Sequence, residues 1–413
     1  MADTSAAARS SRQPVHTVYG GAQLFAPDTT AKLGAIALRT MREHAPDATT
    51  LGSVLGKIDP ALASRIYPRV VAKLEREPVE DYRIDFEDGF GVRPDTEEDA
   101  VAKTAATNLA AGMAAGTLPP GIGIRIKNLG EEMKRRSLRT LELFLSTLAE
   151  RTGGRLPSNF VITLPKITAP EQVTHLAETC EAYESMHIIP GGSLRFEIMI
   201  ETPESVFGRD GRVALPDFIA RGHGRIAAAH FGTYDYTAAL GITAVYQEMM
   251  HPSCNFAKHV MQVALSGTGV WLSDGATTVL PIGKDRDVIH AAWKLHAFHV
   301  KHSLAGGFYQ GWDLHPAQLV TRYAAVYAFF LEGLDAASER LKNFVQKAAQ
   351  ATATGGVFDD AATGQGLLNY FLRALNCGAI TDAEATELSG LSIDELHSRS
   401  FATILAGRRS NQM

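Results

Sequence analysis

Short apolar, β-branched segments recur along the chain, each ending in polar or glycine residues and each followed by a longer stretch with helical spacing. About eight stand out: HTVYG (16–20), YRIDFED (82–88), GIGIRIKN (121–128), NFVITLPK (159–166), LRFEIMIET (194–202), RIAAAHFGT (225–233), VWLSDG (270–275) and FYQGWDLH (308–315). Between them lie helical patterns such as EEDAVAKTAATNLAAGM and SLRTLELFLSTLAERTG, the second closing on a glycine as helix ends often do. Strand-helix alternation predicts a parallel sheet wrapped by helices, and this count suits closure into a (β/α)8 barrel, with a doubly wound open sheet as the alternative. Polar placement favours the barrel. Nearly every segment carries its charge or histidine at its C-terminal end, where a barrel brings all strand ends together, whereas an open sheet gathers such groups at one crevice.

After Pro316 the pattern turns helical only, broken by TATGGVFDDAATGQG (352–366), which reads as a hinge. The expected organisation is a flexible tail over 1–14, a catalytic barrel over 15–320 and a C-terminal helical region over 321–413. That last region is expected to act as a lid, on this subunit or on a neighbour.

Composition narrows the class. A chain that is 45% hydrophobic and 21% charged, with net charge -5, lacks the basic excess of a nucleic-acid binder and the low hydrophobicity of a disordered chain. Cys180, Cys254 and Cys377 lie far apart without a C-x-x-C pair, which argues against a disulfide framework and for a cytoplasmic setting. No apolar run nears the roughly 20 residues that span a bilayer, and the start lacks a secretory apolar stretch, so no membrane partner is expected.

The strand ends carry the candidate chemistry. Glu201 in MIETPES and Asp235 in HFGTYDYT end consecutive strands and become neighbours on a barrel rim. Two carboxylates without cysteine suit a hard divalent cation, Mg²⁺ first and Mn²⁺ second; the alternative is that each caps a helix or meets an arginine. In YRIDFED, Asp85 and Glu87 share one strand face and Asp88 opens the loop, so they either order water around an ion or pair with basic side chains. Arg125 shares a face with Lys127 and can grip a substrate carboxylate, or else satisfy local acids. Lys166 invites a Schiff-base reading, weighed against ordinary pairing. His296, His299 and His302, spaced by three on a helix, fan apart by about 60° per step instead of converging on a metal. His230 and His315 fall on the rim. P-loop, dinucleotide and nucleophile-elbow motifs are absent, which weakens NTPase, dehydrogenase and serine-hydrolase readings.

Taken in order, DFED, IRIKN, LPKI, IET, FGTYDYTAALGI, SDG and GFYQGWDLHPAQL resemble the citrate lyase β-chain and malyl-CoA lyase group of the HpcH/HpaI aldolase superfamily over roughly residues 80 to 320. There the strand ends read approximately DLEDA, VRIN, PK, ET, FG-x-x-D and G-x-x-IHP-x-Q. The resemblance implies a phosphoenolpyruvate/pyruvate-type TIM barrel binding Mg²⁺. It implies Glu201 and Asp235 as ligands, Arg125 as the substrate clamp, and Glu87 and Asp88 ordering metal-bound water. Asp274 would reach toward a site, and His315 would be architectural. It also implies a homo-oligomer, trimer or hexamer.

One departure stands out. VHTVYGGAQLFAPDTTAKLG occupies the place of the R-S-x-L-F-x-P-G segment that helps receive CoA, which argues against a CoA thioester. The expected function is a Mg²⁺-dependent carbon-carbon lyase or aldolase acting on a small 2-oxo or hydroxy acid through a metal-stabilised enolate. His230, Asp274 or a water ordered by Glu87 are the candidate bases. The alternatives are phosphoenolpyruvate-type phosphoryl transfer, a CoA-thioester lyase, and a catalytically silent ligand-binding barrel.

Overall fold

A computed structural model describes residues 12–346, 352–354, 357–359, 361–398 and 400–410. Eight parallel strands close into a barrel in sequence order: β1 (His16–Gly21), β2 (Asp81–Asp85), β3 (Gly121–Arg125), β4 (Phe160–Leu164), β5 (Arg195–Ile200), β6 (Ile226–Phe231), β7 (Trp271–Ala276) and β8 (Gln310–Asp313). Closure is made by His16 opposite Gly311 and Val18 opposite Asp313. The fold is therefore an α/β TIM barrel, and each strand falls within or next to the segment that periodicity marks for it.

Alternation within the strands explains the layers. Ile84, Ile122, Ile124, Ile162, Leu164, Phe196, Ile198 and Ile200 are fully buried, and each such side chain contributes roughly 1.5–3 kcal/mol. The positions between them carry the polar groups described below. The helix Lys134–Thr152 ends at Gly153, whose φ of 66° is the left-handed conformation that a glycine terminus adopts readily. Helices Thr29–His44, Ala48–Val54 and Pro60–Arg76 fill the long β1–β2 connection. The last of them starts with Asp59 accepting the amides of Ala61 and Leu62 ahead of Pro60. Among the described residues no helix is long and apolar enough to cross a membrane.

Beyond the barrel come helices Gln318–Glu332, Leu334–Gln346, Ala361–Asn376, Asp382–Ser389, Ile393–His397 and Phe401–Ser410. The expected all-helical, hinge-containing stretch differs here: β9 (Thr352–Thr354) pairs antiparallel with β10 (Val357–Asp359), and a helix begins at Ala361. Residues 347–351, 355, 356 and 360 of this region lie outside the described residues, as does most of the expected 1–14 tail. The extension packs at the N-terminal end of the barrel, where Arg373 bonds Gln13 Oε1 at 2.6 Å and lies over the Tyr309 ring. Arg69 pairs with Glu384 on the flank. These contacts put the extension away from the C-terminal mouth of its own barrel, so the lid expectation does not hold within this subunit.

Candidate active site

The C-terminal mouth collects charges from the ends of five strands, β2 to β6. Asp85 and Arg125, paired in register on β2 and β3, join side chain to side chain: Arg125 Nε and Nη2 donate to the two Asp85 oxygens at 2.7 and 2.5 Å. The guanidinium is then packed against the rings of Tyr19 and Trp312, at 4.7 and 5.9 Å. Its Nη1 lies 3.1 Å from Glu87 and 3.8 Å from Asp88. Asp85 also accepts the amides of Glu87 and Gly89, which fixes the turn bearing the other two acids. Arg125 thus keeps only its Nη1 edge toward the mouth, a narrower clamp than the sequence suggests.

Glu201 follows β5, is only 1% exposed, and accepts the Lys166 amide at 2.8 Å. Burial, then the neighbouring charges of Asp235 and Glu87, push its carboxyl up to about 8. The chain comes so close here that a β-carbon at Gly232 would sit 2.3 Å from Glu201 Oε2. Asp235 lies in the first turn of the helix Thr233–Ala239, and beside it the Thr233 hydroxyl is buried without a hydrogen-bond partner.

Lys166 stands among these acids. Its ammonium pairs with Glu87, lies 3.1 Å from Asp88 and 3.7 Å from Asp235. Burial opposes its charge, but those carboxylates outweigh it and hold the lysine more firmly protonated than usual. That is the reverse of what a Schiff-base lysine needs. Its backbone φ of 51° is left-handed, a conformation uncommon outside glycine. Glu87 is pushed up by burial against the pull of Arg125 and Lys166, whereas Asp88 is drawn down because those same cations outweigh its burial.

The remaining expected residues are placed elsewhere. His230 lies one layer below the mouth. It accepts the Trp312 indole N–H at Nδ1 (3.0 Å), and its Nε2 lies 3.0 Å from Glu197, off the hydrogen-bond direction. Both ring nitrogens face protein groups, so a base role at the rim is not open to it. Asp274 turns away from the interior, into the layer between strand and helices: it pairs with Lys258 at 2.9 Å and accepts from Ser303 at 2.6 Å. As a reaching acid or base it is misplaced, because the residue parity of β7 directs Ser273 and not Asp274 inward. His315 accepts the Ala317 amide at Nδ1, a capping contact. His296, His299 and His302 reach three different partners: Asp313, Thr277 and Asn255.

Sequence reasoning passed over the barrel's polar axis. Arg83 grips Glu197 through two bonds of 2.7 Å and Asp81 through one of 2.5 Å, all three side chains being buried. Burial would raise Glu197, but Arg83 and His230 outweigh it and hold the carboxylate well below its ordinary range. The signal was available in the i, i+2 spacing of Asp81, Arg83 and Asp85, and in the i, i+4 spacing of Glu197 and Glu201.

Among the described residues no cluster of three or more His, Cys, Asp or Glu forms a ready metal cage. The donors that do converge are oxygens, with Glu201 buried beside like charges, and Mg²⁺ is typically held by one or two carboxylates plus water and substrate. The residues therefore fit a divalent cation.

Solved structures share the architecture. A citrate lyase from Burkholderia xenovorans LB400 superposes with a TM-score of 0.61 at 20% identity, covering 91% of this chain and 96% of the other. A Haloferax volcanii malate synthase, in a complex with magnesium and glyoxylate, gives 0.50 at 15% identity over 94% and 97%. The search of curated proteins returned no match. Nearly the whole chain, residues 3–404, matches one family model, and the protein belongs to that family, described as a domain of unknown function, DUF6986.

Proposed function

We propose that this protein is a Mg²⁺-dependent carbon-carbon lyase or aldolase acting on a small 2-oxo or hydroxy acid. The observation that carries the reading is Glu201, a carboxyl buried beside Asp235 and Glu87 at the same mouth as Arg125. Such crowding is costly unless positive charge joins it. The fold shared with a citrate lyase and with a malate synthase solved with magnesium and glyoxylate supports the same reading.

Glu201 and Asp235 would hold the ion, with Mn²⁺ as a substitute. When bound, it supplies positive charge where negative charge develops on a substrate oxygen, worth several kcal/mol in such sites. The chain's own residues do the rest. Arg125, locked by Asp85 and packed on Tyr19 and Trp312, presents Nη1 to a substrate carboxylate. Lys166 balances the acids around the substrate and stays protonated while doing so. Glu87, whose burial favours the proton-bearing form, takes up a proton at its carboxylate and returns it.

The test is direct. Purified protein incubated with Mg²⁺, pyruvate and a panel of aldehydes should yield condensation products by mass spectrometry, and Glu201→Gln should yield none. Release of phosphate from phosphoenolpyruvate in place of condensation would contradict the proposal.

A further inference from the structure

The outer helices of a barrel turn charged residues to water, and two neighbouring ones here do not. The helix Pro252–Leu265, which precedes β7, carries one charged residue among fourteen, Lys258, and that one is buried on Asp274. Its outward positions hold Phe256 and Val263, 52% and 81% exposed. The helix that follows β7, Arg286–Ala305, brings Val288, Ala291, Leu295 and Phe298 at least partly to the surface, in a 3-4-3 spacing. The helix Lys134–Thr152 shows the ordinary pattern, with Lys134, Arg135 and Arg139 exposed.

The two helices are tied side by side, His302 to Asn255 at 3.1 Å and Gln262 to the Gly306 carbonyl. The apolar surface continues toward the C-terminal mouth. There the Phe207 ring stacks on Phe256 with centroids 6.1 Å apart, and Leu240, Val245 and Tyr246 stand exposed beyond the helix that carries Asp235. Of the sixteen large apolar side chains exposed among the described residues, ten lie between residues 207 and 298, so the exposure belongs to one sector of the barrel and is not scatter. Weighted by their exposures, these ten present on the order of 1,000 Å². A stable protein–protein contact takes about 800 Å² from each side.

The spacing and the charges identify the occupant. A 3-4-3 stripe is the seam by which one helix packs along another. Asp287 and Lys294 flank that seam seven residues apart, both exposed, and neither has an ion-pair partner among the described residues. Across a twofold axis the same helix of a second copy runs antiparallel, which sets Asp287 of each copy beside Lys294 of the other; a parallel neighbour would set like charge on like.

We infer that the outer face of helices Pro252–Leu265 and Arg286–Ala305 is a self-association surface, through which two copies of this chain pack about a twofold axis. Arg125, Lys166 and Glu201 lie outside it, so it is independent of the chemistry proposed at the mouth.

Light-scattering masses of the full chain at micromolar concentration test this. The wild type should be a dimer or a higher even multiple, since a twofold contact joins chains in pairs. Phe256→Asp and Phe298→Asp should each weaken the contact by about a hundredfold or more, halving the mass while the circular dichroism stays that of the wild type. Ile188→Asp, an equally exposed apolar position outside this sector, and Glu201→Gln should leave the mass unchanged. Asp287→Lys and Lys294→Glu should each weaken association by about tenfold, and the two together should restore it. A monomeric or trimeric wild type, an assembly indifferent to both phenylalanine variants, or a double charge exchange that fails to restore association would overturn the proposal.

Discussion

Asp85 holds Arg125 through two hydrogen bonds of 2.7 and 2.5 Å, which fix the guanidinium at the candidate mouth. Its remaining nitrogen is aimed, and aim is what a carboxylate clamp requires. Asp85→Asn should loosen it. Hydrogen bonds to charged groups are worth about 1.5–3 kcal/mol, so kcat/KM should fall roughly ten- to hundredfold, mainly through KM. Steady-state kinetics on the condensation reaction reads this, and an unchanged KM would detach Asp85 from substrate binding.

Lys166 supplies the positive charge among Glu87, Asp88 and Asp235. Lys166→Met removes it and leaves the acids facing one another. The metal-free protein should lose stability, by about 1–3 kcal/mol, and the rise in thermal midpoint on adding Mg²⁺ should be larger than in the wild type. Equal rises in both proteins would contradict the placement of the ion beside this lysine.

Gly232 permits the close approach of the β6 turn to Glu201. Gly232→Ala should displace the carboxylate and abolish turnover, with a stability cost of about 1–3 kcal/mol for overpacking. Activity retained within about twofold of wild type would show that Glu201 need not stay where it is.

A pH dependence follows from the helical histidines. Burial lowers His299 to about 4, while its unfolded value is 6.5. The unfolded chain therefore binds the proton first as pH falls, and stability present above pH 6.5 is lost between there and about 4. At most about 1.4 kcal/mol is lost per pH unit across that window. Thermal midpoints measured from pH 7.5 to 4.5 should fall for the wild type and fall less steeply for His299→Gln. His296, lowered by the same burial, adds in the same direction.

The strands were legible because each is a short β-branched run with a polar C-terminal end, as in GIGIRIKN and NFVITLPK. The glycine end at 153 was equally plain. Less legible was which face a polar residue takes near a strand end. Asp274 was expected at the mouth, yet it sits one residue out of phase with the interior and serves Lys258 and Ser303 instead. His230 has the right parity but lies one layer too deep, under Trp312. The Arg83–Glu197 pair was hidden for a different reason: its partners are 114 residues apart, and only closure of the barrel brings them together. The β9–β10 pairing was obscured by the glycines and aspartates around it, which read as a hinge.

The central claim is that Glu201 and Asp235 share one divalent ion at the C-terminal mouth, and anomalous diffraction from a crystal soaked in Mn²⁺ tests it most directly. The account predicts a strong peak between the two carboxylates, lost in Glu201→Gln crystals treated the same way. Wild-type crystals with both carboxylates ordered and no peak between them would contradict it.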